Sequence, residues 1–199
     1  GLTSYLENLE RAEFIKSQKP VIFTGGERSR TKKYLIWDEW LRFYFTFMEP
    51  NLKIIKTNPG KPLFNQLCQK SIHNFWGLSF ERLCFKNINQ ILETLHIPLE
   101  SVIDFGSFFR QRSRTSEKKG VQIDLLIYRQ GKILTLIECK FSEKPIGTEI
   151  IDDFQKKIEA LSAPRSFTVE RVLISAGGVT SELYRKNYFH KILGLESIF

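Results

Sequence analysis

Asp124, Glu138 and Lys140 are charged side chains set inside two otherwise apolar runs, VQIDLLIYR and KILTLIECKF, joined around Gln130-Gly131-Lys132. Strand side chains alternate between faces. Glu138 and Lys140 should therefore project together with Leu134 and Leu136, while Thr135, Ile137, Cys139 and Phe141 take the other side. In the first run Asp124 should share a face with Gln122 and Leu126, with Ile123, Leu125 and Ile127 opposite. Thirteen residues separate Asp124 from Glu138, enough for a hairpin that sets the two strands side by side. Whether the acidic faces coincide depends on register, which the sequence leaves open.

If they coincide, two nearby carboxylates repel and one tends to protonate unless a cation sits between them. A hard divalent ion removes that penalty, and Mg²⁺ is usually held by one or two carboxylates plus waters and substrate phosphates. A lysine on the same face could orient an attacking water and offset the charge of a phosphorane-like transition state. These parts answer one requirement, hydrolysis of a phosphodiester. The same residues also fit a plainer reading, an exposed Glu138–Lys140 pair worth about 0–1 kcal/mol and an Asp124 partnered by a nearby cation. Glu81 weighs against it: Gly77, Leu78, Cys84 and Phe85 lie three and four residues away on one helical stripe. A carboxylate there needs a partner.

The elements that would position these groups can be read from periodicity. A long helical pattern runs from about 70 to 97 and closes at Pro98; strands follow near 102–112, 121–129 and 132–141. TEIIDDFQKKIEAL (148–161) is helical, with Ile150, Ile151, Phe154, Ile158 and Leu161 on one stripe. ERVLISA (170–176) is a fourth strand ended by Gly177-Gly178, read as a strand-to-helix turn in preference to an anion nest, and a last helix starts near Thr180. The αβββαβ order implies an α/β fold with a mixed central sheet flanked by helices.

Ahead of it, TSYLENLERAEFI (3–15) has helical spacing, and VIFTGGERSRTKKYLIW reads as two strands around a basic tip, the ending of a winged-helix module. DEWLRFYFTFMEP (38–50) reads as an aromatic helix ending at Pro50, and NLKIIKTNPGKP (51–62) as a boundary. The expected division is 1–58, a partial winged helix with its connecting helix, and 59–199, the domain bearing the acids.

The chain has 199 residues, 42% hydrophobic and 26% charged, the composition of a soluble globular protein and not of a disordered one. Its longest apolar runs are too short to span a bilayer, and no secretion signal opens it. A cytoplasmic location is expected, and three dispersed cysteines without CxxC spacing fit a reducing compartment. Three histidines without ligand spacing argue against a structural zinc. The single methionine is Met48, so Gly1 is not an initiator and an upstream segment is expected. Net charge is +8 and the pI about 9.4. The surplus clusters in GGERSRTKK (25–33) and RQRSRTSEKK (110–119), which makes Arg28, Arg30, Lys32, Lys33, Arg110, Arg112 and Arg114 candidate nucleic-acid contacts. Solvated loops would look the same.

Asp124, then Glu138-Cys139-Lys140, with Glu81 in a preceding helix, resembles the PD-(D/E)xK nuclease superfamily of restriction enzymes and Holliday junction resolvases; Ile123 stands where that name has proline. A narrower likeness runs through YLIWDEWLRFYFTFMEPN (34–51), which resembles the region between a winged helix and such a domain in prokaryotic AAA+-type, DUF234-like ATPases. The resemblance implies that Asp124, Glu138 and the Cys139 carbonyl bind Mg²⁺ (or Mn²⁺). It further implies that Lys140 assists the water and that Glu81 holds a second ion or a water beside it. Gln155 is a weaker candidate for positioning substrate. DNA and an upstream ATPase domain or subunit are the implied partners, with a homo-oligomer expected by analogy. GGERSRTKK is not GxxxxGK[ST], so no nucleotide site is expected in this chain. The alternative to a nuclease is a catalytically silent DNA-binding or interaction module.

Overall fold

The computed structural model describes residues 1–23, 32–110 and 120–198. These fall into two units, one of residues 1–19 and 32–79, the other of residues 20–23 and 80–198.

In the first unit, α1 (Leu2–Arg11) leads into an antiparallel hairpin of β1 (Ile15–Gln18) and β2 (Lys33–Ile36). The helix is shorter than its spacing suggests because Glu13 takes a left-handed φ of 59°. The first strand is not the apolar stretch after Pro20 but the polar one before it. Glu10 fixes it there, its carboxylate accepting from the Ser17 amide at 2.8 Å and from the Ser17 hydroxyl. Val21 and Phe23 belong instead to the core of the second unit, where the Val21 amide donates to the Ser107 carbonyl.

Asp38 caps α2 (Glu39–Phe43) by accepting from the Leu41 amide at 2.7 Å. The helical path continues through a π turn (Tyr44–Met48) and a 3₁₀ turn (Glu49–Asn51) into α3 (Leu52–Thr57), α4 (Phe64–Cys68) and the start of α5 (Ile72–Lys86). Pro50 does not stop the chain, as its position suggested; it sits in a first turn, where its missing N–H is not needed. Phe47, Cys68 and Phe75 are buried together here.

The second unit carries the end of α5, then α6 (Ile88–Thr94), β3 (Val102–Arg110), β4 (Val121–Arg129), β5 (Ile133–Lys140), α7 (Glu149–Leu161), β6 (Thr168–Ser175), α8 (Ser181–Arg185) and β7 (Lys191–Leu193). The five strands form one mixed sheet in chain order. β3–β4–β5 is an antiparallel meander, and β6 and β7 add in parallel. A parallel addition needs a crossover, which α7 supplies. Two apolar layers sandwich the sheet. On one side Leu125, Ile127, Ile137, Cys139 and Ile174 pack with Phe80, Cys84, Ile88 and Ile91 of α5 and α6. On the other, Leu126, Leu134, Leu136 and Leu173 pack with Ile150, Phe154 and Leu161 of α7 and Leu183 of α8. The expected αβββαβ order is thus present, with β7 added. That strand has three residues, too few to show alternation.

Gly177-Gly178 forms a turn after β6. A Cβ at Gly177 would lie 2.2 Å from the Ser142 carbonyl oxygen, and Gly178 has φ 72°.

Candidate active site

β4 departs from the alternation expected of it. Ile123 packs in the α7 layer with Leu126, whereas Leu125 and Ile127 face α5 and α6. The pairing with β3 shows why. Phe108 pairs with Ile123 but Gly106 pairs with Leu126, so β4 fits one extra residue between them. Such a bulge re-aims side chains beside it, and Asp124 lies inside it. The ladder to β5 runs from Leu125↔Ile137 onward. At the next step Asp124 Oδ2 accepts from the Cys139 amide at 3.0 Å. The carboxylate therefore ties the two strands where the motif residues sit, and the register left open by the sequence brings the acids together.

Glu138 is 1% exposed and, among the described residues, the charged side chain in the buried class, beside Thr135 and Ser175. An uncompensated carboxylate at that depth would cost several kcal/mol. Two ammonium groups compensate it: Lys140 Nζ at 2.8 Å from Oε1, and Lys157 Nζ at 2.7 and 2.6 Å from Oε1 and Oε2. Lys157 is absent from the motif residues that the sequence singles out. Its signal lies in α7, where Ile150, Phe154, Lys157 and Leu161 follow one another at spacings of four, three and four residues. A lysine on that seam meets a buried acid opposite it, Glu138.

Glu81, on α5, is held above the usual carboxylate range at about 7, first by burial and then by the charges of Asp124 and Glu138. Asp124 rises to about 6 for the same reasons, burial first and Glu138 next. Burial alone would lower the Lys140 ammonium, but the charge and hydrogen bond of Glu138, with the charges of Asp124 and Glu81, together outweigh it and the net shift is upward. All four expected residues, with Lys157, line one open cavity of about 800 Å³, whose wall also includes Gln122, Lys156 and Glu159. The Cys139 thiol lies in the opposite layer. Its bond with Cys84 and its burial push its pKa well above the usual thiol value.

Other expected residues lie elsewhere. Gln155 does not line the cavity; it accepts from the Tyr188 hydroxyl at 2.9 Å and donates to Glu159 at 3.2 Å. Arg110 is engaged in structure, donating to the Ala160 and Leu161 carbonyls at the end of α7, where a cation also suits the helix dipole. In the first unit, Lys32 pairs with Glu10 at 3.6 Å and lies over the Tyr34 ring; Lys33 is exposed on β2. Arg28, Arg30, Arg112 and Arg114 lie outside the described residues.

The donor chemistry suits a hard divalent ion: oxygen ligands from three acids, two of them with pKa values raised by burial and by one another's charge. As arranged here, the cation at Glu138 is an ammonium. Among the described residues no group of three or more His, Cys, Asp or Glu stands in a metal-holding arrangement.

A helix-flanked, five-stranded mixed sheet that brings Asp124, Glu138 and Lys140 to one cavity defines an α/β domain with a clustered acidic site. Residues 44–156 match the family DUF234, described as "Archaea bacterial proteins of unknown function", and the chain belongs to that family. A relative from Methanocaldococcus jannaschii, the uncharacterized protein MJECL04, is 42% identical over 144 residues. The match covers 71% of this chain and 29% of that relative, so the chain spans under a third of the relative's length. Solved structures with some likeness include a repair endonuclease from Pyrococcus abyssi (12% identity, TM-score 0.35, 57% of this chain and 43% of that one). An EndoMS–dsDNA2 complex is similar at 15% identity and TM-score 0.30, over 54% of this chain and 43% of that one. Among the described residues no helix is long and apolar enough to cross a membrane.

Proposed function

We propose that the second unit hydrolyses DNA phosphodiester bonds with Mg²⁺, and that it does so as part of a larger DNA-acting ATPase. One observation carries this reading: Glu81, Asp124, Glu138 and Lys140, from three separate elements, line a single open cavity. Asp124, Glu138 and the Cys139 carbonyl would hold the ion, with Glu81 beside them. The ion would supply Lewis-acid stabilisation of the phosphoryl oxygens. Lys140, kept cationic by Glu138, orients the attacking water and offsets negative charge as it develops on the phosphate. Glu81, on the same cavity wall, would hold a second ion or a water beside the first. The basic residues Arg28, Arg30, Lys33, Arg112 and Arg114 would hold the DNA backbone. The ATPase context rests on the resemblance of residues 34–51 described above; the relative from Methanocaldococcus jannaschii, of which the match covers 29%, is long enough to hold further domains.

The test is incubation of supercoiled and branched DNA with Mg²⁺ or Mn²⁺. Wild type is expected to cleave, and Asp124→Ala and Lys140→Ala to lose roughly 100-fold or more of the rate. Cleavage by wild type no greater than by these variants would end the hydrolase reading.

A second reading, a silent DNA-binding module, is favoured by Lys157, whose ammonium bonds both oxygens of Glu138. It predicts DNA binding that survives both substitutions with no cleavage in any of them.

A further inference from the structure

We propose that Lys157 is a built-in counter-ion that occupies the ligand position of Glu138 and must leave it before a divalent ion can bind there. This inference rests on the metal-dependent reading above and deepens it.

Lys157 Nζ lies 2.7 and 2.6 Å from Oε1 and Oε2 of Glu138, so both oxygens that a metal would use are engaged by one ammonium. Lys140 also bonds Oε1, at 2.8 Å. A divalent ion on either oxygen would meet Lys157 at a distance where like charges repel by several kcal/mol even at an effective dielectric near 20. Lys140 and Lys157 therefore differ in kind. Lys140 is the motif lysine and bonds one oxygen from the strand that carries Glu138, whereas Lys157 spans both oxygens from another element. Its side chain is 27% exposed at the cavity wall, so its tip can swing into solvent without burying a charge. Neighbouring Lys156 has a different partner, Asp153 at 3.2 Å, although it lines the same wall. The arrangement exchanges one cation for another. Without metal, Lys157 partners the buried Glu138 carboxylate; with metal, the ion takes over that role.

Mn²⁺ binding by calorimetry on wild type, Lys157→Met, Lys156→Met and Asp124→Asn tests this. Lys157→Met is expected to bind Mn²⁺ about tenfold tighter than wild type, Lys156→Met close to wild type, and Asp124→Asn much more weakly. In the absence of metal, Lys157→Met should also melt lower than wild type. Because that variant leaves Glu138 with Lys140 alone and could fail to fold, wild type carries a second readout. The Lys157 ammonium resonance in ¹H–¹⁵N spectra should shift or vanish as Mg²⁺ is added. Wild-type binding with an unmoved Lys157 resonance, or Mn²⁺ affinity in Lys157→Met no tighter than in wild type, would overturn the exchange while leaving the metal site standing. No Mn²⁺ binding in wild type or Lys157→Met would overturn the metal site and the exchange together.

Discussion

Glu81 shows how a single residue reports on its neighbours. Its pKa of about 7 is well above the ordinary 4.5, and that of Asp124, at about 6, is above 3.8. Folding therefore raises proton affinity at both sites. Between the unfolded and folded values the native state binds more protons than the unfolded chain, and stability falls as pH rises through that window. In metal-free buffer the melting temperature of wild type, relative to Glu81→Gln, is expected to increase as pH is lowered from about 8 to about 5. Above pH 7 the glutamine variant should be the more stable of the two, since it removes a crowded negative charge. Saturating Mg²⁺ should shrink the difference at high pH, because a bound cation then favours the ionised form. Thermal melts at several pH values with and without Mg²⁺ check each part. A difference that grew with acidity in the opposite sense would show that Glu81 does not share the site electrostatically.

Among the elements, α7 both closes the core and delivers Lys157. Phe154 is fully buried, against Phe189 and Tyr188, in the layer that includes Leu134 and Leu136. Phe154→Ala removes a large buried ring and should cost about 3–5 kcal/mol in urea unfolding. It should also loosen the seat of Lys157, one helical turn away. A cost under about 1 kcal/mol would mean that α7 is not held where the structure has it. Elements like this one are legible in the sequence, because a 13-residue helix with an apolar stripe and strands of eight or nine residues leave long periodic patterns. What hydropathy hides is short or local. Three-residue β7 has no period to detect, and the first hairpin strand is polar and owes its place to Glu10. The bulge is invisible in hydropathy, since Ile123 and Leu125 look alike whichever layer receives them. Yet the bulge decides where Asp124 sits, so the residue types of the site are legible and its geometry is not. Lys157 passes unmarked because solvent usually explains a lysine, and only its position between Phe154 and Leu161 sets it apart.

Across the whole molecule the charge is uneven in a way that bears on DNA. The net charge is +8, and the segments 25–33 and 110–119 carry four and five cations against one acid each, so together they hold seven of the eight surplus charges. Not all nine cations are equally available. Arg110 is spent on α7 carbonyls and Lys32 is paired with Glu10. Neutralising these two should change DNA affinity little, and Arg110→Gln should instead lower stability. Arg28, Arg30, Arg112 and Arg114 are the more informative set. Each phosphate that a variant no longer neutralises should reduce the slope of log affinity against log salt by about 0.9 for duplex DNA. Replacing all four with glutamine should therefore flatten the slope by roughly 2–4 and weaken binding most at low salt. Fluorescence anisotropy with a labelled duplex across a salt series measures this directly. The same measurement on Asp124→Ala separates the two parts of the functional proposal. If binding needs only the basic segments, that variant keeps both affinity and slope while its cleavage disappears. If the quadruple variant binds DNA as wild type does, at every salt concentration, the positive charge serves some other purpose and the DNA substrate loses its main support.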